Sequence, residues 1–274
     1  MDDIKTIAVV GAGTMGGGVA ALCLMSGYAV RLYDPAEAAL EKARARCVKR
    51  TDEEAVDKHL TLTTSLDEAA RQVDFAIEAV PEKLELKRDI FKQLDALTPA
   101  HAVLATNTSE LSVTAIAGAT KRPEQVIGMH WFNPPERMSL VEIVRALQTS
   151  DETLGATERV AQQCGKTTVV VNDRQGFVTT RALAALLLES IRMLEEGVAD
   201  PEDIDTAVKL GLNHPMGPLE LADYVGLDTM LFIAESMTEG LGERFRAPQS
   251  LRKRVEAGHL GRKSGRGFYD YGEA

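Results

Sequence analysis

The 274-residue sequence lacks the features that mark several large classes of protein. Its net charge is −10 and its longest basic run is Arg252-Lys253-Arg254, so a nucleic-acid-binding protein is not expected. No apolar run approaches the roughly 18 to 20 residues that a membrane span needs, and no membrane partner is expected. The first residues are acidic and lead directly into a strand pattern, which argues against a signal peptide.

Cysteine is also scarce. Cys23, Cys47 and Cys164 are odd in number, far apart and in no C-x-x-C arrangement, so a reduced, cytoplasmic protein is expected. No metal is predicted either, because four of the five histidines show no metal-ligand spacing: His59, His101, His214 and His259. With 45% hydrophobic residues, the chain is long enough for two domains with ordinary cores.

A glycine-rich turn lies between the first predicted strand and the first predicted helix: Gly11-Ala12-Gly13-Thr14-Met15-Gly16. With a second predicted strand over residues 29–33, it forms the dinucleotide-binding fingerprint. The first glycine permits the turn, the second lets a pyrophosphate approach the backbone, and the third lets the helix pack against the strand. The helix N-terminus then offers N–H groups and partial positive charge to the phosphates.

The residue that ends the second strand, Asp34, bears on the choice of nucleotide. It lies about 20 residues after the turn, where a carboxylate bonds the ribose hydroxyls and repels a 2′-phosphate. NAD is therefore predicted as the cofactor. Arg31, beside the same site, leaves NADP open as an alternative.

Strand and helix patterns alternate as far as a polar break at residues 172–176, and helical patterns alone follow it. This change predicts a Rossmann-like N-terminal domain with a mainly parallel sheet over residues 1–174. It also predicts an all-helical C-terminal domain over residues 175–274. A helix over residues 181–194 is apolar on more than one face and needs more than one packing partner. We therefore expect a homodimer through the helical domain.

Three polar residues fall at or just beyond the ends of predicted strands: Glu82, Ser109 and His130. Ligands bind at the carboxyl ends of the strands in an open parallel sheet. The three side chains are therefore predicted to face the nicotinamide end of the cofactor. Taken singly, Glu82 and Ser109 have a second interpretation, as N-caps of the helices that follow them.

Two β-rich runs flank the turn signal Asn133-Pro134-Pro135, the first ending near His130 and the second containing Glu142. If the runs pair as antiparallel strands about Glu136, the His130 and Glu142 side chains are opposed, with Cβ atoms roughly 5 Å apart. A carboxylate on one ring nitrogen sets the tautomer and leaves the other nitrogen as a proton acceptor. The alternative is a structural histidine near an unrelated strand glutamate.

Taken together, the motifs resemble those of the short-chain L-3-hydroxyacyl-CoA dehydrogenases, which include the 3-hydroxybutyryl-CoA dehydrogenases. The motifs are the glycine-rich turn with Asp34, Glu78-Ala79-Val80-Pro81-Glu82, Asn107-Thr108-Ser109, His130 to Pro134, Leu140-Val141-Glu142, Asn213-His214-Pro215-Met216-Gly217-Pro218-Leu219 and Gly261-Arg262-Lys263-Ser264-Gly265-Arg266-Gly267-Phe268-Tyr269. The resemblance implies an NAD-dependent oxidoreductase of fatty acid metabolism. Such an enzyme interconverts a 3-hydroxyacyl-CoA and a 3-ketoacyl-CoA by hydride transfer, with a His-Glu pair moving the proton.

The resemblance also assigns roles by position. His130 matches the general base of the family, Glu142 its partner, and Ser109 a catalytic-site hydroxyl that contacts both substrate and cofactor. Beyond the glycine-rich turn, the matched cofactor positions are Asp34, Glu82, Lys87, Ser109, Asn133 and Lys263. The matched substrate positions are Ser109, Asn133 and Thr180.

Two departures from the family pattern concern the substrate. The family commonly carries Asn at the position of Thr180, and Thr lacks the second polar group of the amide. The family also has a helical hairpin over the CoA nucleotide, where this chain is shorter and one helix is predicted, over residues 36–56. Its basic residues are either phosphate contacts or a solvated face: Lys42, Arg44, Arg46, Lys49 and Arg50. An acyl-carrier protein in place of CoA, and a non-catalytic NAD-binding homologue, remain open as alternatives.

Overall fold

The structure is a computed structural model that describes residues 4–272. The chain divides into two compact units, the first ending at Arg174 and the second beginning at Gln175. Each unit has a hydrophobic core of its own. No helix within residues 4–272 is long and apolar enough to cross a membrane.

The first unit is a sheet with helices. Its strands within the described residues are β1 Thr6–Val10, β2 Ala29–Tyr33, β3 Leu60–Thr63, β4 Phe75–Glu78, β5 Val103–Thr106, β6 Val126–Trp131, β7 Leu140–Arg145 and β8 Thr167–Asn172. Its α-helices are α1 Thr14–Met25, α2 Glu37–Val48, α3 Glu53–His59, α4 Leu66–Ala70, α5 Leu84–Leu97, α6 Val113–Ala117 and α7 Asp151–Gln163, and a 3-10 turn spans Pro123–Gln125.

The strands form one sheet in the order β3-β2-β1-β4-β5-β6-β7-β8. All neighbours are parallel except β6 and β7, which are antiparallel. The predicted Rossmann-like fold with a mainly parallel sheet is therefore confirmed. The first six strands follow the order of dinucleotide-binding sheets. In such sheets the strand order reverses between β1 and β4, which leaves a crevice at the carboxyl ends of these strands. Strands β1, β4 and β5 are mostly apolar and buried on both faces, as is typical of parallel strands under helices.

The prediction of one helix over residues 36–56 is wrong. Two helices, α2 and α3, stand there, separated by a four-residue connection from Lys49 to Asp52. Asp52 is the N-cap of α3, and its carboxylate accepts a hydrogen bond from the Ala55 N–H at 2.7 Å. The chain breaks there because Val56 of α3 is buried in one cluster with Cys47 of α2. The segment therefore does form a helical hairpin, in a short version.

The alternative interpretation of Glu82 and Ser109 as N-caps is also wrong. Lys83, not Glu82, precedes α5. Ser112, not Ser109, caps α6, where its hydroxyl accepts a hydrogen bond from the Ala115 N–H at 3.1 Å. Neither the Glu82 nor the Ser109 side chain therefore caps the helix that follows it.

The second unit is helical, as predicted. Its helices within the described residues are α8 Thr179–Glu195, α9 Pro201–Gly211, α10 Pro218–Val225, α11 Leu227–Leu241 and α12 Gln249–Glu256, with 3-10 turns at Glu243–Phe245 and Arg262–Ser264. Asp223 of α10 holds the C-terminal segment by accepting hydrogen bonds from the Phe268 and Tyr269 N–H groups, each at 2.9 Å. Burial raises the pKa of Asp223. Burial and the neighbouring Asp223 carboxylate raise the pKa of Tyr271 to about 12. Gly267 is required there because a Cβ would lie 1.9 Å from the Asp223 carboxylate.

Candidate active site

The glycine-rich turn between β1 and α1 has the geometry that its sequence predicts. Gly11 has φ of 104°, in the region that favours glycine, and a Cβ there would lie 2.7 Å from the Ala79 carbonyl oxygen. A Cβ on Gly16 would lie 1.8 Å from the Gly11 carbonyl oxygen. Gly13 differs from both, since a Cβ there would meet nothing within 4 Å. The turn is therefore packed on its inner side and open beside Gly13, where a pyrophosphate would approach.

Asp34 closes the same edge of the sheet at the end of β2. Its carboxylate accepts hydrogen bonds from the Ala12 N–H at 2.8 Å and the Ala36 N–H at 2.9 Å. The carboxylate is thus held against the glycine-rich turn, as a ribose-binding acid requires. Arg31 was the residue that kept NADP as an alternative cofactor. Its Nη1 donates hydrogen bonds to the carbonyl oxygens of Glu68 and Arg71.

Lys87, on α5, is buried with an exposed fraction of 1%. Its Nζ donates to Glu78 Oε1 at 2.7 Å and to the Val80 carbonyl oxygen at 3.2 Å, and lies 3.3 Å from Glu82 Oε2. Glu78 is fully buried and also accepts from the Thr106 hydroxyl at 2.7 Å. An ammonium group has three donors, and here each has a neighbouring oxygen. Protein oxygens therefore surround the Lys87 ammonium group, and any effect of Lys87 on a ligand passes through Glu82.

Glu82 in turn holds the loop that carries Ser109. Its Oε1 accepts hydrogen bonds from the Thr108 hydroxyl, from the Ser109 N–H at 2.9 Å and from the Glu110 N–H at 3.2 Å. The backbone of Ser109 is thereby anchored while its side chain stays half-buried. The role of Glu78 was not predicted, although two acids on either side of Pro81, nine and five residues before Lys87, were a signal for such a network.

His130 and Glu142 are directly opposite each other on β6 and β7, so the predicted register about Glu136 is confirmed. His130 Nδ1 lies 2.7 Å from Glu142 Oε2, and both residues are buried. A carboxylate at this position accepts the Nδ1 proton, which leaves the basic lone pair of the imidazole on Nε2. The Phe132 ring packs against the imidazole, with 4.6 Å between ring centroids. The pair can therefore accept a proton and stabilise the charge that results.

Two further side chains, Asn107 and Lys166, hold the end of β6 and the loop that follows it. Asn107 Oδ1, after β5, accepts a hydrogen bond from the Trp131 N–H at 2.9 Å. Lys166, before β8, donates from Nζ to the Pro135 and Met138 carbonyl oxygens, each at 2.7 Å. Asn133 is exposed on this loop and precedes a cis proline.

The first unit therefore brings most of the predicted site to the carboxyl ends of its parallel strands: the glycine-rich turn after β1, Asp34 after β2, Glu82 after β4, Ser109 after β5 and His130 near the end of β6. Two of the predicted residues, Thr180 and Lys263, lie in the second unit. Thr180 is half-buried in the first turn of α8. Lys263 donates from Nζ to both carboxylate oxygens of Asp228, at 2.5 and 2.6 Å. Burial by itself would raise the pKa of Asp228, but Lys263 and the backbone N–H groups, that of Thr229 among them, together lower that pKa.

Comparison with known proteins places this arrangement in a family. Residues 6–174 match the model of the 3-hydroxyacyl-CoA dehydrogenase NAD binding domain, and residues 176–271 match the C-terminal domain of the same family. The chain belongs to the 3-hydroxyacyl-CoA dehydrogenase family. The resemblance expected from the motifs is thus confirmed, and the first unit is an NAD-binding domain.

Relatives of the chain match over nearly its whole length. A Bacillus subtilis protein named "Probable 3-hydroxybutyryl-CoA dehydrogenase" is 47% identical, over 99% of both chains. The human mitochondrial hydroxyacyl-coenzyme A dehydrogenase is 39% identical, over 98% of this chain and 91% of its own length. The crystal structure of (S)-3-hydroxybutyryl-CoA dehydrogenase from Ralstonia eutropha has a TM-score of 0.94 and 40% identity, covering 99% of this chain and 100% of that one.

Replacing Lys87 by Met should lower the free energy of unfolding by about 3 to 5 kcal/mol, because Glu78 would lose the cation beside its buried carboxylate. Urea denaturation measures this change. Lys83→Met is the matched control, since Lys83 is exposed at the start of the same helix. The double variant Lys87→Met/Glu78→Gln should recover part of the loss. Equal stability of the Lys87→Met and Lys83→Met variants would contradict the network.

Proposed function

We propose that the protein oxidises the C3 hydroxyl of a short 3-hydroxyacyl-CoA to a ketone with NAD as acceptor, and catalyses the reverse reaction. The observation that carries the proposal is the 2.7 Å contact between His130 Nδ1 and Glu142 Oε2 on the sheet that also bears the NAD-type turn. The names of the relatives, which include 3-hydroxybutyryl-CoA dehydrogenases, favour a four-carbon acyl group.

In this proposal His130 is the general base. Its Nε2 takes the proton from the C3 hydroxyl, and Glu142 stabilises the imidazolium through Nδ1. Glu142 is fully buried, so little solvent screens that interaction. NAD, when bound, supplies the hydride acceptor for C3. In the reverse direction the imidazolium returns the proton to the ketone oxygen.

The remaining site residues are proposed to bind and orient the reactants. Ser109 offers its hydroxyl to the substrate and the nicotinamide from a backbone that Glu82 anchors. Lys87 serves the cofactor site through Glu82, given its burial. The other proposed cofactor contacts are residues 11–16, Asp34, Asn133 and Lys263, and the other proposed substrate contacts are Asn133 and Thr180.

Replacing His130 by Ala should lower kcat roughly 100- to 10,000-fold, the range expected when a general base is lost. NADH binding, measured by fluorescence, should remain near the wild-type value because the glycine-rich turn is untouched.

Glu142→Gln should lower kcat and shift the acidic limb of the pH profile to lower pH, because the imidazolium loses the charge that stabilises it. Unchanged turnover by the His130→Ala variant would contradict the assignment. A wild-type protein that binds NADH but turns over no 3-hydroxyacyl thioester would instead be a non-catalytic homologue.

CoA is the proposed carrier, bound through exposed lysines of α2 and its connection to α3. Two arginines of α2 are already paired within the unit: Arg44 with Asp57 at 2.6 Å, and Arg46 with Glu136 at 2.6 Å. Lys42 and Lys49 are exposed on the same segment. They are therefore the better candidates for the CoA phosphates.

The carrier can be tested by comparing thioesters. The double variant Lys42→Ala/Lys49→Ala should raise KM for 3-hydroxybutyryl-CoA but not for the pantetheine thioester, which lacks the nucleotide. Lys121→Ala, at an exposed lysine far along the chain, is the control. A higher kcat/KM on the carrier-protein thioester than on the CoA thioester would replace CoA by an acyl-carrier protein as the carrier.

A homodimer is proposed because the second unit exposes more large apolar side chains than scattered surface residues explain. Those at least half exposed include Val198, Leu210, Leu212, Tyr224 and Phe232. The face of α8 away from the core adds the exposed Ala182 and Ala185. Light scattering at low micromolar concentration should give about twice the chain mass of 29.7 kDa. A single-chain mass under these conditions would defeat the proposal.

A further inference from the structure

The loop between β6 and β7 carries an ion pair that the proposed mechanism does not use. Glu136 lies at the middle of this loop, and its side chain has an exposed fraction of 3%. Its Oε1 accepts from Arg46 Nε at 2.6 Å and its Oε2 from Arg46 Nη2 at 2.7 Å, which is a two-pronged contact of defined geometry. Burial by itself would raise the pKa of Glu136, but Arg46, a backbone N–H and the nearby Arg50, 4.0 Å away, together lower that pKa. Glu136 is therefore a carboxylate at neutral pH.

The same guanidinium reaches a third element. Arg46 Nη1 donates to the Thr14 carbonyl oxygen at 2.6 Å, and Thr14 belongs to the glycine-rich turn. Arg46 itself stands in the last turn of α2. One side chain therefore joins α2, the cofactor turn and the loop that follows His130. A lysine lacks the planar set of donors that makes all three contacts.

Helix α1 has a glycine, Gly18, where it meets Arg46 and the loop. A Cβ on Gly18 would lie 2.5 Å from Pro135 Cγ and 2.6 Å from Arg46 Nη2. Gly18 is outside the G-x-G-x-x-G pattern and inside the helix, where glycine costs about 1 kcal/mol relative to alanine. Its presence fits a requirement for close approach of the loop and the arginine. The backbone of the loop is tethered separately, by Lys166 to the Pro135 and Met138 carbonyl oxygens.

We propose that Arg46 and Glu136 are positioning residues for the dehydrogenase reaction. They set the distance between the glycine-rich turn and the loop that bears Asn133, so that the cofactor bound at the turn meets Asn133 and His130 in the geometry for reaction. Neither side chain touches the reacting atoms. The inference rests on the proposed function, because it takes Asn133 as a cofactor contact. It also removes Arg46 from the candidate ligands of the substrate phosphates.

Arg46→Met tests the proposal when NADH affinity, KM for NAD and kcat are measured well below the melting temperature. We expect kcat/KM for NAD to fall on the order of 10- to 100-fold, since small displacements of a binding group are costly. The dissociation constant of NADH should rise, and the acidic limb of the pH profile should stay in place because the His130–Glu142 contact is intact. Arg46→Lys, which keeps the charge, should recover part of the NADH affinity.

Arg44→Met is the matched control. Arg44 lies on the same helix, but it pairs with Asp57 at 2.6 Å and Glu53 at 3.5 Å, both in α3 and not in the loop or the glycine-rich turn. Its NADH affinity should equal that of the wild type. Glu136→Gln should resemble Arg46→Met, and the double variant should be little worse than either single one, because the two residues act as a unit.

The proposal is overturned if the Arg46→Met variant melts at a lower temperature but keeps wild-type NADH affinity and KM for NAD, since the pair would then be structural alone. If Arg46→Met does not fold, NADH affinity and KM for NAD are measured for Arg46→Lys and Gly18→Ala instead. Both variants should bind NADH more weakly than the wild type, and wild-type values in both would overturn the proposal. NADH binding is measured without turnover. A wild-type protein with no activity on 3-hydroxyacyl thioesters would therefore defeat the proposed function, while the NADH titrations would still decide the role of Arg46.

Discussion

The antiparallel register between β6 and β7 is the constraint on which the site depends. Side chains alternate between the two faces of a strand, so a slip of one residue would send His130 and Glu142 to opposite faces of the sheet. Both residues are buried, and a buried carboxylate without its partner would be strongly destabilising. The loop between the strands is accordingly held from two sides, by Arg46 through Glu136 and by Lys166 through backbone carbonyl oxygens. The register that opposes His130 and Glu142 is thus stabilised by contacts that take no part in the proposed proton transfer.

Buried charge is used repeatedly at this edge of the sheet, and for one purpose. Lys87 lies between Glu78 and Glu82, and Glu82 accepts the N–H groups of the loop that carries Ser109. Arg46 and Glu136 do the same for the loop that carries Asn133. Removing two charges from water contributes little net stability, but it sets the geometry of the groups around them. A Rossmann-like sheet supplies strand ends at roughly the right places, and these networks determine where the loops beyond those ends lie.

Much of the fold was predictable because its signals are local. The glycine spacing, the buried strands and the alternation with helices together indicate a parallel dinucleotide-binding sheet, and the opposed His130 and Glu142 follow from counting residues on either side of Glu136. The break between α2 and α3 was missed, because an even charge pattern hid the Asp52 cap and because the packing of Val56 on Cys47 is a contact between elements. The N-cap interpretations of Glu82 and Ser109 were wrong for the same kind of reason, since Glu82 binds a loop 26 to 28 residues away in the chain.

The sequence by itself determined the family, the NAD-type turn, the two-part organisation and the residues that face each other across one hairpin. Each of these depends on spacing along the chain, and spacing survives any uncertainty about packing. Only the tertiary structure decided which charged residues face solvent and which are buried. Lys87 and Arg46 look like ordinary helix-surface cations in the sequence, yet one is enclosed by two glutamates and the other joins three elements of the first unit. Burial depends on what packs above a side chain, and the residues that do so here are distant in the chain.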